Sequence, residues 1–154
     1  MSSPAAIIGR ELALVERFLA ALLEEQALLR RGATEGLDVL VQVKAELARD
    51  LNAASSEREG GLSAQDADAG RRGMEAWLTR HPEDEVSRQA WQALIARAEE
   101  AQTANALNGQ LIAQRLHTTH QALAILSAES PAAGLYGRDG QSALGTGSRI
   151  IDSA

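Results

Sequence analysis

Residues 7–29 read IIGRELALVERFLAALLEEQALL, and the spacing of their apolar side chains decides the fold class. Ile8, Leu12, Val15, Leu19, Leu22, Gln26 and Leu29 recur alternately four and three residues apart. That heptad rhythm keeps one face of a helix against a partner helix. Leu14, Phe18 and Leu28 widen the stripe on one side, which suits a bundle better than a narrow two-stranded coil. Arg10, Glu11, Glu16, Arg17, Glu24 and Glu25 interrupt the stretch, whereas a membrane span needs about 20 mostly uncharged residues. The segment is therefore an amphipathic helix. Upstream, Ser3-Pro4 offers an N-cap and a proline at the first helical position. Downstream, Arg30-Arg31-Gly32 sets cations against the negative dipole end and a glycine in place for the left-handed cap.

Outward from this helix, Thr34 can cap a second one, in which Leu37, Leu40, Lys44, Leu47, Leu51 and Ala54 continue the alternation. The connection spans only a few residues, so the two are expected to form an antiparallel hairpin. Gln26 and Lys44 interrupt the two seams, where polar residues fix register at some cost in stability. Whether they meet is left open by the sequence. Glu59-Gly60-Gly61 breaks the pattern, and Ser63 with Asp66 reads as a capping-box variant opening a short third helix. Gly70 and Gly73 weaken that helix by about 1 kcal/mol each, so it folds by docking Met74, Trp77 and Leu78. His81-Pro82 closes it.

From Glu83 to about Ser127 there is no proline and a single glycine, Gly109. This predicts a fourth helix on the order of 65 Å long at 1.5 Å per residue. Its expected seam runs through Trp91, Ile95, Ala98, Gln102, Asn105, Gly109, Ile112, Leu116, Thr119, Leu123 and Leu126, apolar at both ends and small or polar between. After Ser130-Pro131 glycine and serine take over, and a flexible tail is expected with Leu135-Tyr136 and Ile150-Ile151 as apolar islands. The expected architecture is all-α, an elongated bundle of coiled-coil character. An antiparallel hairpin, a short helix and a long fourth helix make a domain over 1–130, and a flexible Gly/Ser-rich tail fills 131–154.

Composition narrows the function. The 154 residues carry a formal net charge of −6, no cysteine, two tryptophans, one tyrosine and one phenylalanine. Without cysteine there is no disulfide framework, thiolate metal site or thiol nucleophile. An acidic chain is a poor match for nucleic acid, whose phosphates call for clustered Lys and Arg. The chain shows no basic n-region followed by an apolar core, so no secretory signal is read, and a cytoplasmic location without stable membrane insertion is expected.

Chemistry has few places to reside. His117 and His120 lie three apart and could share a metal, but no carboxylate lies one turn away to complete a di-iron type motif. Surface or interface histidines are the simpler reading, and no metal or cofactor is expected. The pairs Glu24-Glu25 and Glu99-Glu100 diverge around a helix, and Glu83-Asp84-Glu85 sits where helix-dipole stabilisation explains it. Gly137-Arg138-Asp139-Gly140 and Gly145-Thr146-Gly147 lack the flanking strand and helix of a phosphate loop. No catalytic constellation emerges, so the chain reads as a non-enzyme.

The run Asn105-Ala106-Leu107-Asn108-Gly109-Gln110-Leu111-Ile112, with Leu135-Tyr136-Gly137-Arg138-Asp139-Gly140-Gln141, resembles the FlgN-type flagellar export chaperones. Residues 22–29, LLEEQALL, and the segment around Lys44-Ala45-Glu46-Leu47 are similar to that family as well. The resemblance implies a cytoplasmic type III export chaperone of the bacterial flagellum. Its clients would be hook–filament junction proteins, held by their C-terminal segments against premature assembly and delivered to export-gate and export-ATPase components. Client binding is then expected at Ile95, Ala98, Ala101, Asn105, Asn108, Gly109, Ile112 and Leu116. Small central positions would permit close approach, and Ile95, Ile112 and Leu116 would act as apolar anchors. Tyr136 matches the tail tyrosine that docks to the export gate in the family. Two other readings remain: a self-associating structural coiled coil, a homo-oligomer whose seams are filled between subunits, and a helical-bundle metalloprotein using His117 and His120.

Overall fold

The computed structural model describes residues 3–62 and 70–129, and every regular element among them is a helix: α1 (Pro4–Arg31), α2 (Leu37–Leu62), α3 (Arg71–Arg80) and α4 (Glu85–Glu129). The chain divides after Leu111 into two compact units. Unit one, Met1–Leu111, holds α1, α2, α3 and the first part of α4, and unit two, Ile112–Ala154, holds the rest of α4. The expected domain boundary at 130/131 lies outside the described residues, as does the tail.

The ends of α1 follow the expected chemistry. Ser3 Oγ accepts the Ala6 N–H at 3.3 Å, with Pro4 at the first helical position. Gly32 closes the helix at φ 69°, a left-handed conformation that glycine adopts without a Cβ penalty. Gly36 stands at φ 88° just before α2 and accepts the Leu40 N–H through its carbonyl. Thr34 acts through its main chain, accepting the Leu37 N–H at 3.3 Å.

Three boundaries differ from expectation. α2 continues through Gly60 and Gly61 to Leu62 because Arg58 and Leu62, on either side of them, are both buried. Burial of a leucine is worth about 1.5–3 kcal/mol, enough to offset glycine's poor helix propensity. α3 begins at Arg71 behind Gly70, which makes no side-chain cap hydrogen bond; Ser63 and Asp66, the expected capping box, lie outside the described residues. α4 begins at Glu85 behind Asp84, whose Oδ1 accepts the Ser87 N–H at 3.0 Å and whose Oδ2 accepts the Ser87 hydroxyl at 2.7 Å. These two bonds, the side-chain one first, hold the Asp84 carboxyl below its ordinary value.

In unit one, α1 and α2 form the antiparallel hairpin. Arg10 pairs with Glu57, Glu11 with Arg58, and Glu25 with Lys44, so the α2 partner moves back along the chain as α1 advances. The first part of α4 packs against both helices and runs parallel to α1. Arg97 reaches Glu16, and Asn108 reaches Leu22 and Glu25. The core is the resulting stack of Ile8, Val15 and Leu22 from α1 against Trp91, Leu94, Ala101 and Ala104 from α4. Leu62, Met74 and Leu78 close one end of it. α3 docks by Met74 and Leu78, as the sequence implied.

The α1 and α2 seams fall where periodicity placed them, with Ile8, Val15, Leu22 and Leu29 buried on the first and Leu40 and Leu47 on the second. The α4 seam corrects the expected frame. Its buried line is Ser87, Trp91, Leu94, Ala101, Ala104 and Asn108, one residue ahead of Ile95, Gln102, Asn105 and Gly109 over most of its length. α4 is alanine-rich on several faces, so apolar spacing alone did not single out the buried one.

Candidate functional site

Two polar nodes fix the hairpin and α4 in register. Glu25, 3% exposed, accepts Lys44 Nζ at 2.9 Å and Asn108 Nδ2 at 2.9 Å, and Asn108 Nδ2 also donates to the Leu22 carbonyl at 2.8 Å. One buried carboxylate thereby joins α1, α2 and α4. Lys44 meets Glu25 rather than Gln26, which is half-buried. In the second node Arg58 Nε donates to Glu11 Oε2 at 2.7 Å, Ser55 Oγ donates to Glu11 Oε1 at 2.9 Å, and the guanidinium carbon lies 4.9 Å from the centroid of Trp91. Removing one partner of such a buried pair costs about 3–5 kcal/mol, because the other charge is left without compensation. Sequence reasoning missed Glu11 and Glu25 as structural residues. The available signal was their spacing, two heptads apart with Phe18 midway, on the edge of the α1 seam.

The expected client-binding residues divide by exposure. In unit one, Ala101 and Asn108 are buried and Asn108, 1% exposed, spends its amide on α1, so neither presents a surface. Ile95 is half-buried and packs against the core. Ala98, Asn105 and Gly109 are exposed, and a Cβ added to Gly109 meets nothing within 4 Å. In unit two, Ile112 is 42% exposed and Leu116 56%, and Leu123, Ile125 and Leu126 are as open. Ile112, Leu116, Thr119, Leu123 and Leu126 recur four and three apart, and Arg115 is the one formally charged residue from 112 to 128. The result is a nearly uncharged helix face with four large apolar side chains in water, the kind of exposed patch that marks an interaction site. Tyr136 lies outside the described residues.

His117 and His120 are both exposed. Among the described residues no three His, Cys, Asp or Glu side chains gather as a metal site. No described helix is long and apolar enough to cross a membrane.

A family model described as FlgN protein matches residues 1–143. No curated protein and no solved structure matches the chain.

Proposed function

The chain belongs to the FlgN family of flagellar export chaperones, and from that membership we propose that it holds the C-terminal segments of hook–filament junction proteins in the cytoplasm. Binding keeps those segments from premature assembly and brings them to the export gate and its ATPase. The observation that carries this reading is the exposed apolar stripe of Ile112, Leu116, Leu123 and Leu126 in unit two. An aggregation-prone amphipathic segment buries its own apolar face by lying along such a stripe, in the helix-in-groove manner of recognition. The scarcity of charge on that face keeps the desolvation cost low. In unit one, Ala98, Asn105 and Gly109 are proposed as client-facing positions, on the grounds that they are exposed and small. Ala101 and Asn108 then act indirectly, by fixing α4 against α1.

Tyr136 is proposed to dock to the export gate, as the resemblance of the tail to the family implies. The division of labour is testable with one residue. In Tyr136→Ala, capture of a junction-protein C-terminal segment is expected to match wild type while co-purification with the export gate is lost. Loss of both together contradicts the separation.

A second reading, self-association, draws on the same stripe, because a second copy offers an equally apolar heptad face. Sedimentation of purified chain without client distinguishes the two. The chaperone reading expects a client segment to convert any self-associated form into a chaperone–client complex, and an assembly that a client leaves intact favours the structural coiled coil.

A further inference from the structure

A hollow of about 460 Å³ opens in unit one where the start of α1, the end of α2 and α3 come together. Ile7, Ile8, Leu62, Met74 and Trp77 make its wall apolar, and Gly60 and Gly61 bring no side chain to it. A Cβ built on either glycine meets nothing within 4 Å, so the space continues over both. A volume of about 300–1,000 Å³ with apolar walls and few polar groups is the usual form of a small-molecule site.

The polar group at this wall is Arg58, which is 8% exposed. Its Nε and Nη2 donate to the two oxygens of Glu11 at 2.7 and 3.3 Å. That engages one edge of the planar guanidinium, and Trp91 lies against its face. Nη1 stands on the edge turned away from Glu11 and has no hydrogen-bond partner. A buried donor left unpaired is costly, and an acceptor brought to it recovers that cost.

Charge decides which acceptor fits. Arg58 is neutralised by Glu11, and Glu57, at the edge of the hollow, by Arg10. A carboxylate ligand would face both glutamates with no cation in the described wall beyond Arg58. A carbonyl oxygen accepts a hydrogen bond from Nη1 and adds no charge. We propose that this hollow binds a small, neutral, apolar molecule carrying one carbonyl oxygen, with its hydrocarbon body against Ile7, Met74 and Trp77 and its oxygen on Arg58 Nη1. None of these residues belongs to the stripe in unit two, so the proposal does not rest on client capture.

Benzophenone and diphenylmethane test it on the full, isotope-labelled chain, because they share their rings and differ by a carbonyl oxygen in place of two hydrogens. NMR titration following the amides of Gly60, Gly61 and Leu62 is expected to show benzophenone binding at least tenfold more tightly, as suits a hydrogen bond from a charged donor. Diphenylacetate, which carries a carboxylate instead, is expected to bind at least tenfold more weakly than benzophenone. Gly61→Phe, at an exposed helical position with open space over it, is expected to stay folded and to exclude both neutral compounds. Arg58→Lys keeps a cation beside Glu11 without Nη1, and is expected to erase the preference for the ketone. Equal affinity for ketone and hydrocarbon, no binding of either, or a preference that survives in Arg58→Lys overturns the proposal. Benzophenone that binds Gly61→Phe as tightly as wild type places binding elsewhere and overturns it as well, as does diphenylacetate that binds more tightly than benzophenone.

Discussion

Asn108 occupies a seam position where an apolar residue would be ordinary, and its amide replaces packing with two hydrogen bonds to α1. Asn108→Ala removes both and opens a gap in the seam, while the Leu22 carbonyl keeps its helical bond, so a loss of about 1–3 kcal/mol in urea unfolding is expected. Glu25 keeps Lys44, which bounds the loss below that of an unpaired carboxylate. Asp84 acts at the other end of α4. Its two bonds from Ser87 exist for the carboxylate and depress its pKa, so their contribution is complete above the ordinary value and is lost as pH falls through the lower folded one. Asp84→Ala is therefore expected to lower Tm at about pH 5–7, with the gap to wild type closing only in acid. A gap that is constant down to acid denaturation would show that the charge on Asp84 is irrelevant to the cap.

Among the helices, glycines separate local geometry from packing. Gly32 sits at φ 69°, so Gly32→Ala is expected to destabilise the hairpin by about 1 kcal/mol. Gly109 is helical with open space where a Cβ would stand, so Gly109→Ala is expected to raise stability by up to about 1 kcal/mol. If a client helix approaches there as proposed, the same substitution weakens capture, and calorimetry reads stability and affinity moving in opposite directions. Both rising together removes Gly109 from the client surface. The hairpin was legible because leucine, isoleucine and valine mark its seams against polar neighbours. The run through Gly60 and Gly61 was not, because a glycine pair reads as a break until Arg58 and Leu62 are known to be buried beside it. The α4 frame was displaced by one residue because alanine marks no face: Ala98 is exposed and Ala101 buried, and nothing local distinguishes them.

For the molecule as a whole, the acidic composition, the absence of cysteine and the scarcity of aromatics described what the chain lacks. The family match over residues 1–143 supplies a broad role, that of a flagellar export chaperone, and the exposed stripe in unit two is the surface proposed for it. Of the client-binding residues expected from the sequence, Ile112 and Leu116 are open and Ala101 and Asn108 are not. Exposure depends on which helices pack together, and spacing within one helix does not report it. Trp91 is buried against Arg58 and the core, while Trp77 stacks on His81 with ring centroids 4.1 Å apart. The central claim is capture of a client segment on the second part of α4. Its most direct test is calorimetric titration of a hook–filament junction protein C-terminal peptide into Leu116→Asp and wild type, with circular dichroism confirming that both are folded. The account predicts that the variant loses binding by at least a hundredfold while remaining helical. Wild-type affinity in a folded Leu116→Asp chain would contradict it.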